Sequence, residues 1–161
     1  MTIKVGDRLP EGKFRVMTPE GPAWKTTDDV FKGKKVVLFG VPGAFTGTCH
    51  NVHLPGFLQN SAALKAKGVD TVAVTGVNDV FVMEAWKRTT GADGKIEFLA
   101  DGNGEFAKAL DLTFDASAGG LGVRSRRYSM LVEDGVVKKL NIEEAPGKVE
   151  LSGADALLQQ L

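Results

Sequence analysis

The chain has 161 residues, 43% of them hydrophobic and 25% charged, which fits one folded domain over residues 1–161 and excludes a second large domain or extended disorder, since single cores run to roughly 100–200 residues. Twenty Lys and Arg balance twenty Asp and Glu, removing the electrostatic attraction that a general nucleic-acid binder depends on, so no nucleic-acid partner is expected. Only one cysteine is present, Cys49, so neither an intrachain disulfide nor a multi-cysteine metal cluster can form, and any sulfur chemistry starts at that residue.

Residues 1–14 lack the apolar core of a signal peptide, and no stretch approaches the roughly 18 apolar residues of a membrane span, so the expectation is a cytoplasmic protein without membrane contact. Glycine supplies 20 residues, well above average usage, which implies many tight turns. The runs Phe14–Met17 and Ala23–Trp24 flank a Thr18-Pro19-Glu20-Gly21 turn and predict a small peripheral hairpin. Val36–Val41 is a continuous apolar run, as in a central strand buried on both faces, and Pro42 ends it. Thr46 opens a predicted helix to about Lys67, closed by Gly68 and kinked at Pro55-Gly56.

Val69–Thr75 predicts a second strand. Asn78 or Asp79 can cap a helix to about Thr90, with Gly91 just past its end. Ile96–Ala100 and Glu105–Leu110 predict a further strand and helix. Leu112–Ser125 is weakly patterned and glycine-rich, and reads mostly as loop, with the capacity to edge a pocket. Tyr128–Val132 and Val136–Ile142 flank Glu133-Asp134-Gly135, a hairpin signal, and Ser152 with Asp155 resembles a capping box for a last helix. This order predicts an α/β protein: a central mixed sheet flanked by helices, with an N-terminal hairpin and an inserted strand-helix, in a thioredoxin-like arrangement.

Cys49 lies where the buried strand gives way to a helix, the end of an open α/β sheet at which sites form. A lone cysteine is commonly a small buried hydrophobe. With Thr46 as N-cap, however, Cys49 takes the third helical position, near unsatisfied N–H groups and the positive end of the dipole, which favours a thiolate. The Thr46 hydroxyl then either caps the N–H of Thr48 or Cys49, or also bonds the sulfur or a bound oxygen. Pro42 either just ends the strand or also walls the pocket.

The run Pro42-Gly43-Ala44-Phe45-Thr46-Gly47-Thr48-Cys49, followed by His53-Leu54-Pro55-Gly56-Phe57, resembles the active-site segment of type II peroxiredoxins, the peroxiredoxin V subfamily. Asn78-Asp79-Val80-Phe81-Val82, Ala85-Trp86 and Arg127-Tyr128-Ser129-Met130 extend the resemblance from about Val5 to the last helix. It implies a thiol peroxidase that reduces hydrogen peroxide and organic hydroperoxides without a cofactor. Cys49 matches the peroxidatic cysteine, Pro42 and Thr46 the other positions of the P-x-x-x-T-x-x-C motif, and Arg127 the active-site arginine. Peroxide would bind among Thr46, Gly47, Thr48, Cys49 and Arg127, because charge develops on the departing oxygen and needs donors aimed at it. Arg124, Arg126 and Arg127 lie close together; alternation along a strand prevents Arg126 and Arg127 from sharing one inward site, and the resemblance favours Arg127.

His50 and His53, the only histidines, flank the cysteine. Cys49 and His53, four apart, could present sulfur and imidazole to a metal, but with no clear carboxylate partner they make a poor zinc site, so no metal is expected. His53 reads as a hydrogen-bonding structural residue, and His50 has no derivable role. Some relatives carry a resolving cysteine near the C-terminus, where this chain has Val149-Glu150-Leu151-Ser152. A one-cysteine cycle follows, with the sulfenic acid recovered by glutathione and glutaredoxin or by thioredoxin. The resemblance also suggests a homodimer. The alternative is a non-catalytic redox-sensing or metal-binding thioredoxin-fold protein.

Overall fold

The computed structural model of the chain describes residues 1–161. Strands β1 (Lys13–Thr18) and β2 (Gly21–Thr26) pair antiparallel about the predicted turn. A five-residue helix that the periodicity did not announce, α1 (Thr27–Phe31), follows, opened by reciprocal capping between Thr26 and Asp29. The apolar run becomes β3 (Lys35–Val41), and beyond Pro42 a turn leads to a π-helical segment, Cys49–His53. Next come α2 (Leu54–Gln59), α3 (Ser61–Ala66), β4 (Thr71–Gly76), α4 (Val80–Thr90), β5 (Glu97–Ala100) and α5 (Glu105–Ala109). Two short strands, β6 (Thr113–Asp115) and β7 (Val123–Ser125), precede the hairpin β8 (Tyr128–Glu133) and β9 (Val136–Ile142), and α6 (Ala154–Gln159) ends the chain.

Seven strands form one sheet in the order β2-β1-β5-β4-β3-β8-β9. β4 runs parallel to β3 and β5, and β8 runs antiparallel to β3, giving the mixed sheet of a thioredoxin-like fold. The N-terminal hairpin joins this sheet through Arg15 opposite Ala100 and forms its edge. Alternation along β3 sends Val37, Phe39 and Val41 to one face, against Leu54, Phe57, Leu64, Met83, Trp86 and Leu157. Val36 and Leu38 face the other side with Phe14, Phe31, Phe106, Leu110 and Tyr128. A strand buried on both faces needs an unbroken apolar run, hence the composition of β3.

Three expectations are corrected. The helix predicted from Thr46 to Lys67 is not continuous. Pro55 has no N–H and its ring would press on the carbonyl four residues back. The preceding turn widens accordingly, with the Leu54 N–H donating five residues back to Cys49, while the break between α2 and α3 falls at Asn60 and not at Pro55. Leu112–Ser125, predicted mostly as loop, holds the β6–β7 ribbon and a short 3₁₀ turn at Ser117–Gly119. The predicted Ser152–Asp155 capping box does not form: the N-cap is Gly153, which has no side chain to cap with, and the Ser152 hydroxyl is bonded to Glu143 instead.

By contrast, Asp79 caps α4 by accepting from the Val82 N–H, and Gly91 ends that helix in the left-handed conformation. Asp134 and Gly135 both have positive φ, as an Asp-Gly hairpin turn requires.

Candidate active site

β3 ends at the centre of the sheet and delivers Pro42 and Gly43, both buried, into the turn that precedes Cys49. Phe45 sits at φ +64°, an unusual left-handed conformation for a bulky residue. The turn is held from outside by Asn78, whose Oδ1 accepts from the Ala44 N–H at 2.9 Å. Arg124 also reaches over it, donating from Nη1 to the Pro42 carbonyl at 3.2 Å and from Nε to the Leu121 carbonyl at 2.9 Å. A β-carbon on Gly43 would lie 2.7 Å from Arg124 Nη1 and 3.0 Å from Thr46 Cγ2, so a larger residue there would push the arginine tip off the turn.

The helical turn starts at Thr46, whose carbonyl accepts from the His50 N–H at 2.8 Å. Its hydroxyl does not take the capping role: it donates to the Gly43 carbonyl at 2.7 Å. With its one proton committed, that hydroxyl offers only lone pairs to a ligand, so it acts as an acceptor where the sequence suggested a donor. The N–H groups of Gly47, Thr48 and Cys49 make no hydrogen bond within the chain. They are the orphan donors of a helix start. The Thr48 hydroxyl turns away from the sulfur to the Gly147 carbonyl, 3.1 Å distant.

Cys49 is free and wholly buried, and its sulfur accepts from Arg127 Nη2 at 2.9 Å. Arg127, just ahead of β8, is itself only 2% exposed. Its other bonds go to uncharged groups: Nε to the Pro146 carbonyl at 2.9 Å and Nη1 to His53 Nδ1 at 2.8 Å. No carboxylate pairs with it. Its positive charge is therefore left for the sulfur and for anything that binds beside it. Arg126 points elsewhere, to the Glu143 carbonyl at 3.1 Å; both arginines lie in the link between β7 and β8, outside the strand along which alternation would separate them.

His53 lies tilted against the side of Phe39 and Phe57, which stack on each other at 4.1 Å. Burial, and secondarily the Arg127 charge, hold its pKa down at about 3, against an ordinary 6.5. The neutral ring uses both nitrogens: Nε2–H donates to the Ser152 carbonyl at 2.9 Å and the Nδ1 lone pair receives Arg127. Neither nitrogen is left for a metal, and a guanidinium against Cys49 opposes a cation there. The rival idea of a Cys49–His53 metal pair therefore does not fit this arrangement. His50, whose role the sequence did not reveal, accepts at Nδ1 from Trp86 Nε1–H at 3.0 Å and ties the cysteine turn to α4.

The structure thus gathers Cys49, Arg127 and the orphan N–H groups into one site, with Pro42 and Thr46 in the turn that enters it. Asn78, Arg124 and the segment 143–152 escaped the sequence reading as site-forming residues. A glutamate or serine near a strand end ordinarily reads as solvated, and only the partners brought from distant parts of the chain show otherwise.

A thioredoxin-like sheet with a buried cysteine under an unneutralised arginine defines a thiol peroxidase. The Redoxin family profile matches residues 4–158. Rice (Oryza sativa subsp. japonica) peroxiredoxin-2E-2, a chloroplastic protein, is 48% identical over 99% of this chain and 73% of its own length. Reduced Prx3 from Vibrio vulnificus in complex with hydrogen peroxide superimposes with a TM-score of 0.94 at 46% identity, covering 99% of both chains. A Burkholderia cenocepacia structure described as a thioredoxin reductase reaches a TM-score of 0.96 at 43% identity, covering 100% of this chain and 99% of its own. With one cysteine, this chain cannot form the intrachain dithiol that a disulfide-relaying reductase would use. The chain belongs to the peroxiredoxins of type II, and it carries a single buried cysteine in place of a cysteine pair.

Proposed function

We propose that the protein reduces hydrogen peroxide and small organic hydroperoxides at Cys49 by a one-cysteine cycle, with glutathione and glutaredoxin as electron donors or thioredoxin in their place. The observation that carries this reading is the bond from Arg127 Nη2 to Cys49 Sγ in a chain with no other thiol. The Vibrio vulnificus relative holding hydrogen peroxide supports the same substrate class.

In the oxidative step the thiolate attacks one peroxide oxygen in line with the O–O bond. The S–O bond forms, the O–O bond breaks, and sulfur loses two electrons to the departing oxygen, which leaves as water or an alcohol once protonated. A guanidinium has five N–H donors. Three of those on Arg127 are committed, leaving one on each terminal nitrogen for the peroxide oxygens. Thr46, an acceptor, takes the hydrogen bond from the O–H of the oxygen under attack and so orients the substrate. The N–H groups of Gly47, Thr48 and Cys49 add donors around the developing charge. Pro42 closes the pocket wall and limits water.

In the recovery step a donor thiol attacks the sulfenic acid, releases water and forms a mixed disulfide, and a second thiol displaces Cys49 as a thiolate. This requires an external thiol pool, for which the cytoplasm is our reading. Phe45 in the turn before Cys49, Phe81 in the first turn of α4, and Leu121 and Val123 at the β6–β7 ribbon are exposed apolar residues, and they support a homodimer formed through them. Sedimentation at low concentration tests it, and a fully active monomer would exclude it.

Peroxide consumption by wild type and Cys49→Ser, with each donor in turn, tests the function. Turnover that depends on Cys49 is expected, faster with one donor class than the other. Absence of such turnover with every thiol donor would overturn the proposal.

A further inference from the structure

One buried carboxylate takes no part in the chemistry above. Glu143, 3% exposed, follows β9, and a single oxygen, Oε2, accepts three hydrogen bonds from two consecutive residues: Leu151 N–H at 2.9 Å, Ser152 N–H at 2.7 Å and the Ser152 hydroxyl at 2.5 Å. No cation pairs with it. Burying an anion that is met only by neutral donors is costly, so the three bonds call for an explanation.

The bonds beyond Ser152 supply one. The Ser152 carbonyl receives His53 Nε2–H, His53 Nδ1 receives Arg127 Nη1–H, and Arg127 Nη2–H reaches the Cys49 sulfur. The path then closes on itself, because the Glu143 N–H donates to the Arg127 carbonyl at 3.0 Å. Glu143 is thus bonded through its backbone to the arginine whose guanidinium it reaches again through Ser152 and His53. We infer that Glu143 is a positioning residue for the peroxidase reaction: by clamping Ser152 it fixes the carbonyl that selects the His53 tautomer, and that tautomer aims Arg127 at Cys49.

The arrangement also explains why the carboxylate stands two groups away from the arginine. A carboxylate in direct contact would form the bidentate pair that guanidinium favours and would compete with the sulfur and the peroxide for its donors. A neutral imidazole orients Arg127 without neutralising it. The Ser152 carbonyl selects the Nε2–H tautomer, since a carbonyl can only accept.

The inference rests on the peroxidase reading, and the test separates the two. Glu143→Ala, Glu143→Gln and Ser152→Ala are compared with wild type for the second-order rate constant of Cys49 oxidation by hydrogen peroxide. Each variant's melting temperature and the ¹⁵N shifts of the His53 ring, which distinguish its tautomers, are recorded alongside. Glu143→Ala is expected to react about 10–100-fold more slowly, the size of effect that misplacement of a site by about 1 Å produces, and to lose the single Nε2–H signature. Glu143→Gln keeps an acceptor oxygen of the same reach and should recover most of the rate, and Ser152→Ala, which removes only one of the three donors, should lose least. A Glu143→Ala protein that is folded and oxidised at the wild-type rate overturns the inference. So does a slower one whose His53 tautomer is unchanged, because the loss would then be general destabilisation. Failure of the peroxidase reading would show instead as a wild type without peroxide turnover.

Discussion

Arg127 Nη1 donates to His53 Nδ1 across 2.8 Å, and only an imidazole without a proton on that nitrogen can accept it. The catalytic geometry therefore requires His53 to stay neutral, and its burial beside the guanidinium ensures this by lowering its pKa to about 3.

The depressed value makes folding sensitive to acid. Below the ordinary histidine value of 6.5, the unfolded chain takes up a proton at this residue that the folded chain refuses. Stability from the neutral ring is thus complete above that value and falls as pH drops from there toward 3, by about 1.4 kcal/mol for each pH unit. His53→Gln removes the titration. Plotted against pH from about 6 to 4, its urea midpoint should fall less steeply than that of wild type. Parallel curves would show that His53 is not the group responsible.

Arg127→Lys should lower the rate constant for peroxide about 100-fold. An ammonium on a flexible stem cannot keep a planar fork on Pro146, His53 and the sulfur at once, and displacing a charged donor by an ångström costs that order of rate. Arg126→Lys, which alters a contact to the Glu143 carbonyl outside the pocket, should change it by no more than about 3-fold. Stopped-flow measurement of Cys49 oxidation compares the two. Equal losses would place the reactive arginine wrongly.

Thr46→Val and Thr46→Ser separate shape from hydrogen bonding. Valine removes the lone pairs that receive the peroxide O–H, and a loss of about 10–100-fold is expected, in the range of a single catalytic hydrogen bond. Serine keeps the hydroxyl and should stay within about 5-fold of wild type. If valine matches serine, the hydroxyl serves only to brace Gly43.

Gly40→Ala tests the sheet beneath the site. A β-carbon there would fall 2.2 Å from Tyr128 Cε1, and the Tyr128 ring is fully buried and cannot step aside. A destabilisation of about 3 kcal/mol is expected by chemical denaturation. Tyr128→Leu in the same chain should relieve much of it. Additive effects of the two changes would mean that ring and β-carbon do not collide.

The fold was legible wherever local chemistry and long-range packing agree. The Val36–Val41 run, the Asp79 cap, the Gly91 stop and the Asp134-Gly135 turn each carry their structural cause within a few residues. The continuous helix failed because Pro55 acts backward, on the turn that holds Cys49, where a local reading places the kink at the proline itself. Ser152 failed for the opposite reason: it has the chemistry of a cap, but a glutamate nine residues earlier takes its hydroxyl. Local spacing singled out Cys49 and Thr46, and strand alternation with family resemblance singled out Arg127. The fastening of that arginine through His53, Ser152 and Glu143 spans most of the chain and leaves no local pattern.

The complete burial of Cys49 divides the two halves of its cycle by size. A peroxide is a few atoms across and can slip between side chains that move little, but the tip of a partner protein cannot touch a sulfur with no exposed surface. For such a donor the surroundings of Cys49 must open first, and the bonds from Arg127 to the Pro146 carbonyl and from Thr48 to the Gly147 carbonyl are two of those that hold them closed. A fast peroxide reaction and a slow recovery would then be two readings of the same closed door.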